Sequence, residues 1–297
     1  MNASSRVSIV TILLLILFWL VPSLAGDGNK STVVSDIGLS TPESVEYYAA
    51  EDVYLVSNIN GSPFAADDNG FISKLKPDGS VIELKWIDGA GKNVSLNAPK
   101  GLAIVGNYLF VADINQVHVF ELPEGKQKKS ISIEGSTFLN GITPGPDGSV
   151  YVTDSGFNEG FKPSGIDAVY RVWANGKYAT IIKNKNLGHP NGVWYDKDIL
   201  VINTFGSGKI IRIESNGKLT EMPTPPKGGL DGLVKLQDGR LITSSWGGSA
   251  IYALNKDGTF TVLADHLDTP ADIGVDTKRN RLLIPLFKQN KVVIVAL

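Results

Sequence analysis

Pro190-Asn191-Gly192-Val193-Trp194 opens a unit that reads as a turn with a short apolar run, then strands at Ile199–Asn203, Ile210–Ile213 and Leu219–Met222. Outward from it, the same opening recurs at Pro42-Glu43-Ser44, Pro99-Lys100-Gly101, Leu139-Asn140-Gly141, Leu230-Asp231-Gly232 and Pro270-Ala271-Asp272. With Pro190 in its place, the six starts lie 57, 40, 51, 40 and 40 residues apart. A second strand follows in each remaining unit, at Val53–Asn58, Tyr108–Asp113, Val150–Asp154, Leu241–Ser245 and Leu282–Leu286, and a third at Phe71–Leu75, Val117–Leu122, Val169–Trp173, Ile251–Leu254 and Val292–Leu297. Fourth strands are predicted at Val81–Trp86, Ser130–Glu134, Ala179–Lys183 and Phe260–Ala264, and the sixth unit has none of its own. Thr32-Val33-Val34-Ser35-Asp36 reads like the end of the fifth unit, and both lead into a Thr-Pro turn. The repeat therefore predicts an all-β, six-bladed β-propeller of four-stranded blades, one domain over 26–297, its ring closed when the N-terminal strand completes the last blade. The 32 glycines and 15 prolines punctuating short apolar runs agree with that class.

The first 25 residues read differently. Arg6 is their one charge, and Ile9–Val21 is apolar except for Thr11, a stretch of 13 residues followed by Pro22-Ser23-Leu24-Ala25. A membrane-crossing helix needs about 20 apolar residues. A cleaved signal peptide over 1–25 is the expectation, with a secreted or periplasmic protein and no stable membrane anchor. The net charge is −2, or −3 once Arg6 leaves with the leader, so nothing here suggests a nucleic-acid footprint. There are no cysteines, which excludes disulfides, thiolate metal sites and cysteine nucleophiles.

In a propeller the first strand of each blade lines the central channel, and the turn leading into it shares a face with the loop between strands two and three. The middle residues of the six openings, Glu43, Lys100, Asn140, Asn191, Asp231 and Ala271, are then expected to converge on the axis. Insertions at Ile59–Gly70 and Ser155–Ala168 fall on the same face as walls. Two carboxylates and two amide oxygens form an all-oxygen cage of the kind that hard cations, calcium above all, accept. Against this, Asn-Gly and Asp-Gly are also ordinary turn pairs.

These openings, with Pro146-Asp147-Gly148 after the third, resemble the family that includes regucalcin (senescence marker protein), gluconolactonase and bacterial lactonases, with paraoxonase and strictosidine synthase as more distant relatives. The resemblance implies that Glu43, Asn140, Asn191 and Asp231 hold one divalent metal, most often Ca2+ and in some members Zn2+ or Mn2+. It also implies that Asp231 acts as general base in hydrolysing a small-molecule lactone or related ester. A metal polarises the carbonyl in such chemistry, and a carboxylate takes a proton from water. One position departs from the pattern. Sugar-lactone members carry an arginine two residues before the third-blade asparagine, and here Phe138 stands there, pointing to a less polar substrate.

Four further residues are candidate substrate contacts: Lys100, Phe138, His189 and Trp246. Lys100 either anchors a substrate carboxylate or phosphate or bends away to water. His189, beside Pro190-Asn191, is a second candidate base. Trp246 follows a second strand and is placed to stack on a ligand, although blade packing alone accounts for most tryptophans. Asp272 either reaches the site or caps its turn. His118 reads as a packed strand residue, and Gly206-Ser207-Gly208-Lys209 as a hairpin turn rather than a phosphate loop. The rival to the hydrolase is a non-catalytic binding propeller with a structural metal in its channel. A monomer is expected in either case.

Overall fold

The computed structural model describes residues 31–297, and within them six four-stranded antiparallel sheets form a ring. The leader expected over 1–25 lies outside the described residues. Blade one comprises Pro42–Tyr48, Val53–Asn58, Phe71–Leu75 and Val81–Asp88, and the next four follow the same order from innermost to outermost strand. Blade six takes Gly274–Asp276, Arg281–Leu286 and Lys291–Ala296 from the C-terminal end, and Ser31–Val34 as its outermost strand. The register runs Ser31 opposite Val295 through Val34 opposite Val292. The ring is closed as the repeat predicts, by backbone pairing of the two ends of the chain.

Why the blades stack follows from strand alternation. Each inner strand is buried on both faces, as in Val53–Asn58, where every residue is buried. Successive side chains therefore enter the clefts on either side of their blade. Six apolar clusters result, one in each cleft. Leu55, Ile72 and Ile87 of blade one meet Leu102, Leu109 and Phe120 of blade two. Val34, Leu283 and Ile294 of blade six meet Val45, Tyr54 and Val56 of blade one across the closure. Polar contacts reinforce that last cleft. Arg279 pairs with Asp52 at 2.7 Å and with Asp276 at 3.0 Å, and the Tyr54 hydroxyl donates to Asp276 at 2.7 Å.

One strand sits differently from its predicted place. The outermost strand of blade two is Lys126–Ser132 rather than Ser130–Glu134. Its first residues, Lys126-Gln127-Lys128-Lys129, face solvent for the most part, so no apolar pattern marks them, while pairing with Gln116–Glu121 fixes the strand all the same.

The closing strand gives a direct test. Val34 is buried in the closure cluster, whereas Val33 beside it is 55% exposed. Val34→Ala should cost about 2 kcal/mol, from two buried methyls and the space they leave. Val33→Ala should stay within ~0.5 kcal/mol. Urea unfolding of the two variants beside the parent measures both.

Candidate active site

Each innermost strand breaks its register at the residue expected to face the axis. The pairing shifts between Pro42 and Val45, Pro99 and Leu102, Leu139 and Ile142, Pro190 and Val193, and Leu230 and Leu233. A bulge of this kind leaves one residue unpaired and re-aims its side chain. Five blades thereby turn Glu43, Lys100, Asn140, Asn191 and Asp231 into one cavity at the mouth of the channel, small enough that its volume is about 40 Å³. The sixth position, Ala271, is fully buried and contributes no polar group.

The glycines after these residues are not turn glycines. Gly101, Gly141, Gly192 and Gly232 lie in strands, without positive φ. A Cβ on Gly101 would stand 2.6 Å from Asn140 O, and one on Gly192 2.5 Å from Asp231 O. On Gly141 it would press still closer on Asn191 O, and on Gly232 on the backbone of Ile273. Each glycine is thus the point where one blade's backbone passes against the next. In blade one Ser44 stands there instead, and its hydroxyl donates to Asp272 Oδ2 at 2.8 Å.

The turn before each bulge is tied down by a polar side chain, most often from the end of the second strand. Asp113 accepts from the Asn97 and Ala98 N–H groups at 2.6 and 2.8 Å. Asp154 accepts from Thr137 and Phe138 N–H, both at 2.9 Å. Asp167, from the third-blade insertion, accepts from Gly188 and His189 N–H at 3.0 Å. His118, fully buried, binds Asp113 at 3.0 Å and Ser130 at 2.9 Å, so it supports this bracing from within blade two. Burial raises the Asp113 carboxyl, but His118, Lys100 and the turn N–H groups outweigh it and leave the group below its usual range.

The cavity floor is a set of oxygens without partners. Glu43 Oε2, Asn140 Oδ1, Asn191 Oδ1 and Asp231 Oδ1 are all buried and make no hydrogen bond. For Asn140 the orientation has a cause: its Nδ2 donates to Ser155 Oγ at 3.1 Å, and Ser155 in turn donates to Pro190 O at 2.6 Å. Four orphaned oxygens in one small buried site are costly in the absence of a ligand. Burial pushes the Glu43 carboxyl well above its usual range, with Asp231 and Asp272 adding to the rise and Lys100 opposing it. Asp231 is raised likewise by burial and then by Asp272, while the N–H groups of Trp246 and Asn191 oppose the shift. The Trp246 indole falls short of hydrogen-bond geometry. No three His, Cys, Asp or Glu side chains gather as a metal cluster among the described residues. A cation here would depend on the two amides as much as on the carboxylates, and the donor set suits a hard, oxygen-seeking ion.

Lys100 does not reach water. Its side chain is buried, its Nζ donates to Ala98 O at 3.2 Å and Pro63 O at 3.4 Å, and it sits 4.3 Å from the centre of the Phe138 ring. Burial lowers the ammonium's pKa, and Asp113, Glu43 and Asp154 counter part of that. His189 does not line the cavity. Its Nδ1 is 2.7 Å from Ser155 O and its ring stacks on Phe157 at 4.2 Å, behind the wall. Asp272 lies a step further down the channel, beside Glu46 on the wall of a second cavity at the far end. Burial sets the Asp272 carboxyl at about 6, and burial with Asp272 nearby sets Glu46 at about 8.

Phe138 and Trp246 line the cavity, together with Ile59, Pro63, Phe157, Phe161, Phe205 and Phe287, which the sequence reading did not single out. Phe205, Trp246 and Phe287 each directly follow the second strand of blades four, five and six. Aligning the repeats at that position would have found all three.

No known family profile matches the chain, and no curated protein matches it in sequence. Its fold recurs among solved structures. A gluconolactonase from Xanthomonas campestris superposes with a TM-score of 0.71 at 17% identity, covering 90% of this chain and 89% of that one. Virginiamycin B lyase from Staphylococcus aureus gives 0.62 at 16% identity, over 90% and 99% of the two chains. A chain of the nidogen/laminin complex gives 0.61 at 16% identity, over 76% and 80%. The protein thus shares a β-propeller fold with gluconolactonase-like and lyase structures. At such identity the chemistry must be argued from the site.

Two predictions follow from this geometry. Gly141→Ala should cost about 1–3 kcal/mol, as the new methyl displaces the Asn191 carbonyl, with urea unfolding as the measure. The second concerns pH. Asp272 and Glu46 have folded pKa values above those of an unfolded chain, so the folded state holds more protons between about pH 4 and 8. Stability in the presence of a chelator should therefore fall as pH rises through that window. Urea midpoints at pH 5, 6.5 and 8 would show the trend, and a flat or rising series would contradict it.

Proposed function

We propose that the protein is a divalent-cation-dependent hydrolase of a lactone or related ester, acting outside the cytoplasm. The observation that carries this reading is the set of four buried, unpartnered oxygens at the floor of a cavity open to ligands. The fold shared with a gluconolactonase supports it, and the leader-like segment 1–25 supports export.

Glu43, Asn140, Asn191 and Asp231 would hold the cation, Ca2+ being the best match to an all-oxygen set that includes two neutral amides. When bound, such an ion supplies Lewis-acid polarisation of an acyl carbonyl. The protein's own groups do the rest. Asp231 accepts a proton from the attacking water, whose oxygen bonds to the acyl carbon. The acyl C–O bond breaks, and the leaving oxygen takes up a proton, giving a hydroxy acid from a lactone. The aromatic wall keeps bulk water from the floor, which strengthens every charge interaction there.

Calcium titration by calorimetry should give one-to-one binding, weakened at least about tenfold by Glu43→Gln, or ~1.4 kcal/mol. Affinity should fall on going from pH 8 to pH 6, because protons compete for carboxylates that burial has raised. Asp231→Asn should lower kcat/KM for a hydrolysed lactone by roughly 10²- to 10⁴-fold while leaving the urea midpoint nearly unchanged. Tight calcium binding without turnover of any lactone or aryl ester, in calcium, zinc or manganese, would instead favour a binding propeller with the ion as a plug.

A further inference from the structure

The cavity divides sharply by chemistry. The five lining residues Glu43, Lys100, Asn140, Asn191 and Asp231 sit on the floor, and above them the one polar side-chain group that the described residues give the wall is the Trp246 indole N–H. The wall is otherwise built from Ile59, Pro63 and a run of rings. Phe138 meets Phe157 edge-on at 5.8 Å, Phe157 meets Phe205 at 6.4 Å, and Phe205 meets Trp246 at 5.3 Å. Trp246 then tilts against Phe287 at 5.3 Å, so the arc passes from blade three to blade six. Phe161 extends it to the mouth, in contact with Phe157 at 5.5 Å and 47% exposed. Its backbone holds φ at 58°, a conformation that is rare for a bulky residue. The ring also packs on Phe64 at 5.1 Å and Phe138 at 6.1 Å, so the strained backbone holds it as part of the aromatic arc with its exposed side at the cavity's edge, where a ligand can meet it.

The floor adds one directional feature. Lys100 is the single cation lining the cavity, and two of its three ammonium donors are committed to the Ala98 and Pro63 carbonyls. The third has no hydrogen-bond acceptor among the described residues, and the ammonium lies 4.3 Å from the centre of the Phe138 ring on the cavity wall. A sugar lactone would bring several hydroxyls against a wall with a single side-chain donor, and each group left unpaired counts against binding. An apolar body with its polar atoms at one end matches both halves.

We propose that the site takes an apolar acyl ligand: a lactone or ester whose aryl or alkyl body lies along the aromatic arc, with its ester oxygens on the floor and Lys100 donating to one of them. This rests on the hydrolase reading for the reaction and on the wall for the ligand class. Water adds across the acyl C–O bond, so a lactone gives a hydroxy acid and an ester gives an acid with a released alcohol, the carboxylate in either case lying beside Lys100.

The test uses the full calcium-loaded protein with dihydrocoumarin and glucono-δ-lactone as substrates, and their hydrolysis products, 3-(2-hydroxyphenyl)propanoate and gluconate, as binding probes. Trp246 lies in the arc, so tryptophan fluorescence and calorimetry both report binding. The aryl acid is expected to bind at least ~30-fold more tightly than gluconate. Phe161→Ala should weaken it about 5- to 10-fold with calcium affinity unchanged, and Lys100→Met should weaken it similarly. Phe161 is an exposed loop residue, so its variant folds even where Lys100→Met does not. Turnover should favour dihydrocoumarin by a comparable factor. Gluconate binding as tightly as the aryl acid, neither acid binding, or aryl-acid affinity indifferent to Phe161→Ala would each overturn the proposal, even if glucono-δ-lactone is hydrolysed. Selective aryl-acid binding without turnover of either lactone would sustain the ligand class and remove the hydrolase reading instead.

Discussion

At the axis of the ring, the backbones of neighbouring blades approach so closely that a hydrogen is the largest side chain that fits at Gly101, Gly141, Gly192 and Gly232. Much else follows from that contact. It requires a glycine after the axial residue in those blades. It coincides with a bulge that takes the axial residue out of the ladder and turns its side chain inward. Ring closure and site formation are therefore one geometric event. Burial in the six clefts presses the blades together, and the same pressure brings Glu43, Asn140, Asn191 and Asp231 to a common floor.

That arrangement has an electrostatic consequence. Two carboxylates and two amide oxygens are desolvated together with no donor supplied to the atoms that face inward. The one nearby ammonium, Lys100, is held toward Phe138 by backbone carbonyls, and its influence on Glu43 is smaller than that of burial and the neighbouring carboxylates. A structure optimised only for stability would have paired or removed these groups. Their retention is what the proposed cation accounts for, and the bracing by Asp113, Asp154, Asp167 and Ser155 holds the surrounding turns and the Asn140 amide in place.

The architecture was legible in the sequence because a propeller repeats. Six like openings, 40 to 57 residues apart, gave the blade count, and Thr32–Asp36 matched an outer strand closely enough to give the closure. The axial residues were legible for the same reason, since symmetry turns sequence position into spatial position. Other features carried no such signal. Lys126–Lys129 is an outer strand without an apolar face. Gly141 and Gly192 look like turn residues until the neighbouring blade is in view. Lys100 reads as a side chain free to reach water, and only the fold shows Pro63 and Phe138 closing over it. His189 stands two residues before Asn191 in sequence, but its positive φ of 61° turns the ring behind the wall. Phe205 and Phe287 were within reach, because they occupy the position of Trp246 in adjacent repeats.

The floor and the wall obey different constraints. The floor is written into the innermost strands, where an added Cβ collides with the next blade and a lost brace frees a turn. The wall comes from the residues after the second strands of blades one, four, five and six and from the insertions Ile59–Gly70 and Ser155–Ala168, whose middle parts, Phe161 among them, lie at the surface. A change at Phe161, half exposed on such a loop, alters what the cavity accepts without disturbing the bulges that aim the oxygens. Floor and wall are thus set by different parts of the chain, so the ring fixes where a ligand meets the oxygens and leaves the shape it must have to the residues around the mouth.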